Sequence, residues 1–213
     1  MVRYWRRNSR GHISQVSTLV FVNPSTLSPR LVELQLLYPV LKKEWDRFNC
    51  DIEWKDFTSY QEKTIKHSNQ GHEILYDEYF NAPTALPTAQ WSIAPLYYND
   101  IPYTRNVEVL PKLSKTMRWL GETQYVGMAR LKDNASLGWH YDPDPNPSTV
   151  RYRCQVPFDC TISILSVESE NRPQAEGKLL VFRSSAMHMV VNQGKNDRIS
   201  LVFDVFREGK GRM

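Results

Sequence analysis

A histidine and an aspartate stand two positions apart in the stretch Gly-Trp-His-Tyr-Asp-Pro, residues 138–143. Successive side chains of a β-strand point to opposite faces, so His140 and Asp142 would share one face of a strand. An imidazole and a carboxylate are two of the three ligands of a 2-His-1-carboxylate site, which holds iron(II) and leaves coordination positions open. Trp139 and Tyr141 would face the other way and pack into the core. A histidine at a strand end beside an Asp-Pro turn is the alternative that needs no metal.

His188 is the candidate for the third ligand. It lies in a later segment that also reads as a strand, between Met187 and Met189. The strands of a jelly roll pair across long connections, so two distant strand ends can meet in such a fold. The same three side chains could hold a catalytic zinc ion, which also keeps one position open. A histidine packed near the core without a metal is the remaining alternative.

Arg198 follows ten positions after His188. A guanidinium group forms two parallel charge-assisted hydrogen bonds with a carboxylate, which makes arginine the preferred partner of a carboxylate held away from water. Arg198 therefore suits a co-substrate that carries a distal carboxylate. It could instead be a surface arginine paired with Asp197 or Asp204, which would contribute little to stability.

Arg151, Arg153 and Gln155 alternate with apolar and aromatic residues, so in a strand all three would line one face. Burying two guanidinium groups side by side without anions is costly. Such a face is either exposed to solvent or built to bind acidic ligands, and this segment alone leaves both possibilities open.

The elements that would position these residues follow from spacing. Ser28 is the expected N-cap of a helix that begins at Pro29, because leucines and aromatics then recur at three- and four-residue steps as far as Phe48. Pro39 is expected to kink this helix. Residues 107–120 read as a second helix, which Gly121 ends.

After Gly121 the pattern changes to short segments rich in β-branched and aromatic residues, separated by turn residues. The predicted strands are residues 123–131, 137–142, 150–158, 161–167, 178–182, 187–191 and 198–206. Their number and spacing predict a mostly β protein, a sandwich or jelly roll, with flanking α-helices in the N-terminal half. Pro143, Pro145 and Pro147 should end the second of these strands just after Asp142 and place both ligands at the mouth of a cavity.

Composition sets the broad class. The chain has 213 residues, 41% hydrophobic and 23% charged, as an ordinary soluble globular domain does. We expect a single domain over residues 1–213, with an N-terminal layer in 1–85 and the jelly-roll core in 90–206. Residues 16–22 form an apolar run that is too short for a membrane helix and is predicted to be a strand. The segment 55–100, with His67 and His72, could be a substrate lid or a structural layer.

Charge and cysteine content narrow the partners. The net charge is +4, and Arg3, Arg6, Arg7 and Arg10 alone account for that excess. They indicate a solvated N-terminal arm and support a nucleic-acid contact only weakly. The three cysteines include no Cys-x-x-Cys pair, which argues against a disulfide framework and a structural zinc site and favours a reducing cytoplasm.

Taken together, these motifs resemble the aspartyl/asparaginyl β-hydroxylases, a family of iron(II)- and 2-oxoglutarate-dependent oxygenases. The resemblance covers roughly residues 90–206 and begins near Trp91 and Pro95. It is carried by the His-Tyr-Asp-Pro stretch at 140–143, Arg-Tyr-Arg-Cys-Gln-Val-Pro-Phe at 151–158, Gly-Lys-Leu-Leu-Val-Phe at 177–182, Met187-His188, Asn192, and Arg-Ile-Ser-Leu-Val-Phe-Asp at 198–204.

The resemblance implies a double-stranded β-helix with iron inside one end. It implies that His140 and His188 bind the iron and that Arg198 holds the distal carboxylate of 2-oxoglutarate. Arg153 would lie near this co-substrate, and Arg151 and Gln155 would face a substrate. With dioxygen as the second co-substrate, such an enzyme hydroxylates an unactivated C–H bond and releases carbon dioxide and succinate.

Three departures from the family bear on specificity. Asp142 is present where the animal enzymes lack a carboxylate ligand, and this favours hydroxylation over halogenation, which needs that position vacant. Gln155 stands where the peptide hydroxylases have a histidine, and Ala129 roughly where they have a serine. The substrate implied is therefore an amino acid, a peptide side chain or another carboxylate-bearing molecule. A cupin-like metalloenzyme that does not use 2-oxoglutarate and a non-catalytic binding module are the alternative functions.

Overall fold

The structure is a computed structural model and describes residues 2–7, 13–18, 20–56, 90–98, 101–121, 123–142 and 149–208. Several residues on which sequence predictions were made lie outside these ranges. They are Arg10, His67, His72, the prolines at 143, 145 and 147, and most of the segment considered as a lid.

Four α-helices and thirteen β-strands occur in the described residues. The helices are α1 Pro24–Leu27, α2 Pro29–Phe48, α3 Thr104–Val109 and α4 Pro111–Leu120, and a short 3-10 helix follows α2 at Asn49–Asp51. The strands are β1 Val2–Arg7, β2 Ile13–Thr18, β3 Lys55–Asp56, β4 Trp91–Tyr98, β5 Ile101–Pro102, β6 Thr123–Leu131, β7 Ser136–His140, β8 Thr149–Asp159, β9 Ser163–Val167, β10 Glu170–Pro173, β11 Leu180–Arg183, β12 His188–Asn192 and β13 Arg198–Glu208. No helix within these ranges is both long enough and apolar enough to cross a bilayer.

The strands form a large sheet and a small sheet, in which every pairing is antiparallel. The large sheet has the order β11-β8-β13-β6-β4-β3, with β5 beside β4, and the small sheet has the order β10-β9-β12-β7. Strands distant in sequence are neighbours in both sheets, as in the expected jelly roll. Strands β1 and β2 form a separate hairpin.

Period-two alternation gives the large sheet two different faces. On β13, Ile199, Leu201 and Phe203 join the main hydrophobic core together with helix residues such as Leu34 and Trp45. Arg198 and Val202 point to the opposite face and line a cavity that the small sheet also lines. The protein is therefore layered, with helices on one face of the large sheet and the small sheet on the other. The cavity lies between the sheets.

The helix predictions were partly right. Helix α2 begins at Pro29 with Ser28 as its N-cap, because the Ser28 hydroxyl accepts a hydrogen bond from the backbone N–H of Arg30 at 3.3 Å. The single helix predicted over residues 107–120 is wrong, since Leu110 separates α3 from α4 with φ −118° and ψ 62°. Proline disfavours the helical conformation of the residue before it, and Pro111 follows here. Gly121 ends α4 with a positive φ of 68°, as expected.

Two predictions about the stretch that contains Trp139 and Tyr141 need correction. Trp139 and Tyr141 do not pack into the core, because they are 39% and 50% exposed. Residue 141 already lies beyond β7, which ends at His140 and not at Asp142 as predicted. At the N-terminus, Arg3, Arg6 and Arg7 belong to strand β1. Cys50, Cys154 and Cys160 are all free thiols.

Candidate metal centre and carboxylate pocket

His140, Asp142 and His188 come together at one end of the small sheet. His140 is the last residue of β7 and lies directly opposite His188, the first residue of β12. Asp142 follows β7, and its backbone N–H donates to the carbonyl of Ser184 at 3.0 Å, which turns the chain back toward the site. All three side chains are buried, and their potential ligand atoms lie within 4.8 Å of one another.

Both histidine rings are held by the same type of hydrogen bond, from Nδ1 to a backbone carbonyl two residues earlier. Nδ1 of His140 lies 2.7 Å from the carbonyl oxygen of Gly138, and Nδ1 of His188 lies 2.8 Å from that of Ala186. A carbonyl can only accept a hydrogen bond, so each Nδ1 must carry the proton and donate it. Each Nε2 then has a free lone pair. Such a second contact commonly fixes the tautomer of a metal-binding histidine.

Burial also keeps His188 uncharged. Removal of the ring from water, with His140 beside it, lowers the pKa of His188 to about 3. Its ring is packed between Phe182, at 4.8 Å between centroids, and His140, at 4.2 Å. The neutral imidazole is the form that binds metal ions, and at neutral pH this residue needs to lose no proton to do so.

Asp142 belongs to a buried group of charges that includes Arg153 and Asp204. Burial is the largest single effect and raises the pKa of the Asp142 carboxyl, but the surrounding charges, with Arg153 first among them, together outweigh it and hold that pKa below its usual value. The closest approach is 2.9 Å, from Nη1 of Arg153 to Oδ2 of Asp142. Arg153 also forms a two-pronged ion pair with Asp204, with Nε at 2.7 Å from Oδ1 and Nη2 at 3.0 Å from Oδ2. Asp142 is thus an anion that faces the guanidinium of Arg153.

The three side chains fit a divalent metal ion. Oδ2 of Asp142 is fully buried, yet it receives no well-directed hydrogen bond from any described residue, because Arg153 is near but poorly aligned. It lies 3.7 Å from Nε2 of His188. A buried carboxylate oxygen without a well-directed donor, next to two imidazole lone pairs, is what a two-histidine, one-carboxylate centre requires.

A second polar group surrounds Arg198, which is 3% exposed. Its Nε donates to Oε1 of Gln174 at 2.6 Å, and its Nη2 donates to Oε1 of Gln155 at 2.9 Å. No carboxylate among the described residues pairs with it, so the alternatives of a surface pair with Asp197 or Asp204 are wrong. Burial lowers the pKa of Arg198 to about 10, which still leaves the guanidinium charged at neutral pH. Arg198 is therefore a buried cation held by two neutral amides.

The metal group and Arg198 border the same cavity. Its lining is polar where His140, His188, Arg153, Gln155 and Arg198 contribute, and apolar elsewhere. The apolar lining residues are Trp91, Ile93, Tyr125, Ala129, Leu131, Leu137, Val190 and Val202. A molecule in this cavity would contact metal ligands and a buried cation while an apolar wall excludes water from it.

The face of β8 that carries Arg151, Arg153 and Gln155 is buried, so the alternative of an exposed sheet face is wrong. Of these three residues, Arg153 and Gln155 line the cavity and Arg151 does not. Arg151 is fully buried beside Ser184, whose hydroxyl accepts a hydrogen bond from Nε of Arg151 at 2.8 Å. Because the backbone of Ser184 also holds Asp142, Arg151 lies close to the metal group without lining the cavity.

Two residues of the site were missed in the sequence. Asp204 falls on the same face of β13 as Arg198, so period-two alternation could have placed it inside the protein. Gln174 lies just after β10, a strand that was not predicted, and nothing in the surrounding sequence points to Arg198.

Comparisons with known proteins give one matching family and several solved structures of low sequence identity. The family model for aspartyl/asparaginyl beta-hydroxylase matches residues 38–208, so the match begins well upstream of residue 90. No curated protein matches the chain. Among solved structures, the chain is similar to an oxidoreductase of the 2OG-Fe(II) oxygenase family from Burkholderia pseudomallei (13% identity, TM-score 0.41, covering 70% of this chain and 91% of that one). It is also similar to a Cupin_2 domain of an XRE family transcriptional regulator from Enterobacter cloacae (10% identity, TM-score 0.39, 56% and 99%).

Proposed function

Because this chain belongs to the aspartyl/asparaginyl β-hydroxylase family, we propose that it is an iron(II)- and 2-oxoglutarate-dependent dioxygenase. The proposed reaction is hydroxylation of an unactivated C–H bond in an amino acid, a peptide side chain or another carboxylate-bearing substrate. One observation carries the proposal. His140 and His188, two members of the buried group that includes Asp142, line the same cavity as a buried Arg198 that has no carboxylate partner among the described residues.

In this proposal the chain binds and orients, while iron and 2-oxoglutarate, when bound, supply the dioxygen activation and the oxidising equivalents. Nε2 of His140, Nε2 of His188 and the carboxylate of Asp142 hold the metal. Arg198 binds the distal carboxylate of 2-oxoglutarate, because its charge has no other anion within reach among the described side chains. The apolar wall of the cavity keeps water from the reacting atoms.

The substrate class rests on the arginines of β8. Arg153 uses its charge on Asp204 and Asp142, so its part is to position the metal ligand beside the co-substrate. Arg151 remains the proposed contact for a substrate carboxylate on the sequence resemblance alone, because in the structure it is fully buried and does not line the cavity. The carboxylate of Asp142 occupies the ligand position that a halide would need, and we therefore propose a hydroxylase and not a halogenase.

The first test is an anaerobic titration of the apoprotein with iron(II) and 2-oxoglutarate, followed in the visible range for the charge-transfer band of their chelate. We expect the band only when both are present, and its loss in the His188→Ala and Asp142→Ala variants. Asp133→Ala is the matched control, because Asp133 is an exposed turn residue and should leave the band unchanged.

Either of two results would contradict the proposal. Metal binding without any band would move the assignment to a metalloenzyme that does not use 2-oxoglutarate, such as a cupin-like enzyme. Metal binding that survives in both His188→Ala and Asp142→Ala would show that these side chains are not the ligands.

A further inference from the structure

Gln174 and Gln155 form a hydrogen-bonded pair behind the guanidinium of Arg198. Oε1 of Gln174 accepts from Nε of Arg198 at 2.6 Å and from the hydroxyl of Ser163 at 2.8 Å. Nε2 of Gln174 donates to Oε1 of Gln155 at 3.0 Å, and that oxygen also accepts from Nη2 of Arg198 at 2.9 Å. All four side chains are buried. Arg198 is therefore fixed on one side by two amide oxygens.

The donors and acceptors leave only one orientation for each amide. A guanidinium has donors and no acceptor, so the atoms of Gln174 and Gln155 that it touches must be oxygens. With its oxygen turned toward Arg198, Gln174 can offer only its amide nitrogen to Gln155. Both contacts of Gln155 are then made by its oxygen. Its own amide nitrogen has no hydrogen-bond partner among the described residues, and Gln155 lines the cavity.

The neutrality of the pair matters as much as its geometry. A carboxylate at either position would pair with Arg198 and cancel its charge inside the protein. Amide oxygens orient the guanidinium through their dipoles and leave its full positive charge for a ligand. The cavity thus presents donors without a matching acceptor, namely the remaining N–H groups of Arg198 and the amide nitrogen of Gln155. Such a set fits one carboxylate group.

We propose that Gln174 is a positioning residue. It aims Arg198 at the distal carboxylate of the co-substrate by direct contact, and through its contact with Gln155 it aims the Gln155 amide nitrogen at the same carboxylate. The pair would thereby give the cavity its preference for a 2-oxo acid with a second carboxylate. This inference deepens the proposed function and rests on it.

The test compares two ligands of the metal-loaded protein under anaerobic conditions. 2-Oxoglutarate carries the distal carboxylate, whereas 2-oxobutyrate keeps the 2-oxo acid end and lacks it. Dissociation constants are measured by calorimetric titration of the manganese(II)-loaded protein, so that no turnover is required. In the wild type, the distal carboxylate should favour 2-oxoglutarate by roughly 10- to 100-fold, as expected for hydrogen bonds to a buried charge.

Gln174→Glu should remove most of this preference, because the new carboxylate neutralises Arg198. Gln174→Met, which takes away the acceptor without adding a charge, should lower it by about 3- to 10-fold. The affinity for 2-oxobutyrate should stay within about twofold in both variants, since the metal end of the site is untouched. Gln193→Glu is the matched control, because Gln193 is exposed and should leave both affinities unchanged.

Different results would refute the proposed function and the role of Gln174. A wild-type protein with no preference for 2-oxoglutarate would refute the proposed function and, with it, this inference. A normal wild-type preference that survives in both Gln174 variants would overturn the inference alone. Equal losses for both ligands would overturn it as well, because they would show a general effect on the fold or the metal. Thermal unfolding of each variant checks that the protein is folded, and Gln174→Met serves if Gln174→Glu does not fold.

Discussion

Replacement of Asp204 by asparagine should destabilise the protein and weaken metal binding at once. Asp204 is fully buried and forms two charge-assisted hydrogen bonds to Arg153, at 2.7 and 3.0 Å. Asp204→Asn removes one of the two negative charges that face the buried guanidinium of Arg153.

The expected loss of stability follows from the loss of this buried ion pair. Breaking a buried ion pair by removing one partner costs about 3–5 kcal/mol, because the remaining charge is left uncompensated. Arg153 would then have Asp142 as its only anionic partner among the described side chains, and it would compete with a metal for that carboxylate. Loss of such a supporting contact typically weakens metal binding by about 10- to 100-fold.

The assay is urea unfolding of the apoprotein together with calorimetric titration of zinc(II) or manganese(II). Asp197→Asn is the matched control, because Asp197 also forms an ion pair, at 2.9 Å from Lys132, but its side chain is 31% exposed. An exposed pair of this kind contributes at most about 1 kcal/mol. If Asp204→Asn costs no more stability than Asp197→Asn and binds metal as the wild type does, the reasoning from the buried charges is wrong.

Three further substitutions test individual contacts outside the metal and carboxylate groups, each by urea unfolding. Glu44→Ala should cost about 2–4 kcal/mol, because the buried Glu44 carboxylate accepts two backbone N–H groups in the first turn of α4, both at 2.8 Å; an unchanged midpoint would contradict this cap. Gly177→Ala should cost about 1–3 kcal/mol, since Gly177 has φ 72° and an added Cβ would lie 2.6 Å from the ring of Tyr38; a neutral result would mean that the ring moves freely. Tyr141→Ser should change stability by no more than about 0.5 kcal/mol, because Tyr141 is half-exposed, and a large loss would restore the sequence prediction that it packs into the core.

Much of the fold could be predicted from local pattern. The bounds of β6, Thr123–Leu131, agree with the prediction to the residue, and β8, β9, β11, β12 and β13 lie within about three residues of theirs. Alternation and turn residues are local properties of the chain, so they are visible without a structure. The same locality explains the errors. Trp139 is a large aromatic residue of the kind usually found in a core. Whether another element covers it depends on how the sheets pack, and no described element covers it fully.

The sequence by itself determined that Arg153 and Gln155 share one face of β8, and its spacing indicated His140, Asp142 and His188 as one ligand group and Arg198 as a separate cation. Tertiary structure alone decided which of them pair, because strand order and register set the partners. In the β8–β13 register Arg153 lies directly opposite Asp204, so Asp204 binds Arg153, and no other carboxylate of the described residues pairs with Arg198. Gln174 reaches Arg198 from the end of β10, on the other sheet. A period of two residues fixes the direction of a side chain, but its distance to a partner depends on how the two sheets pack.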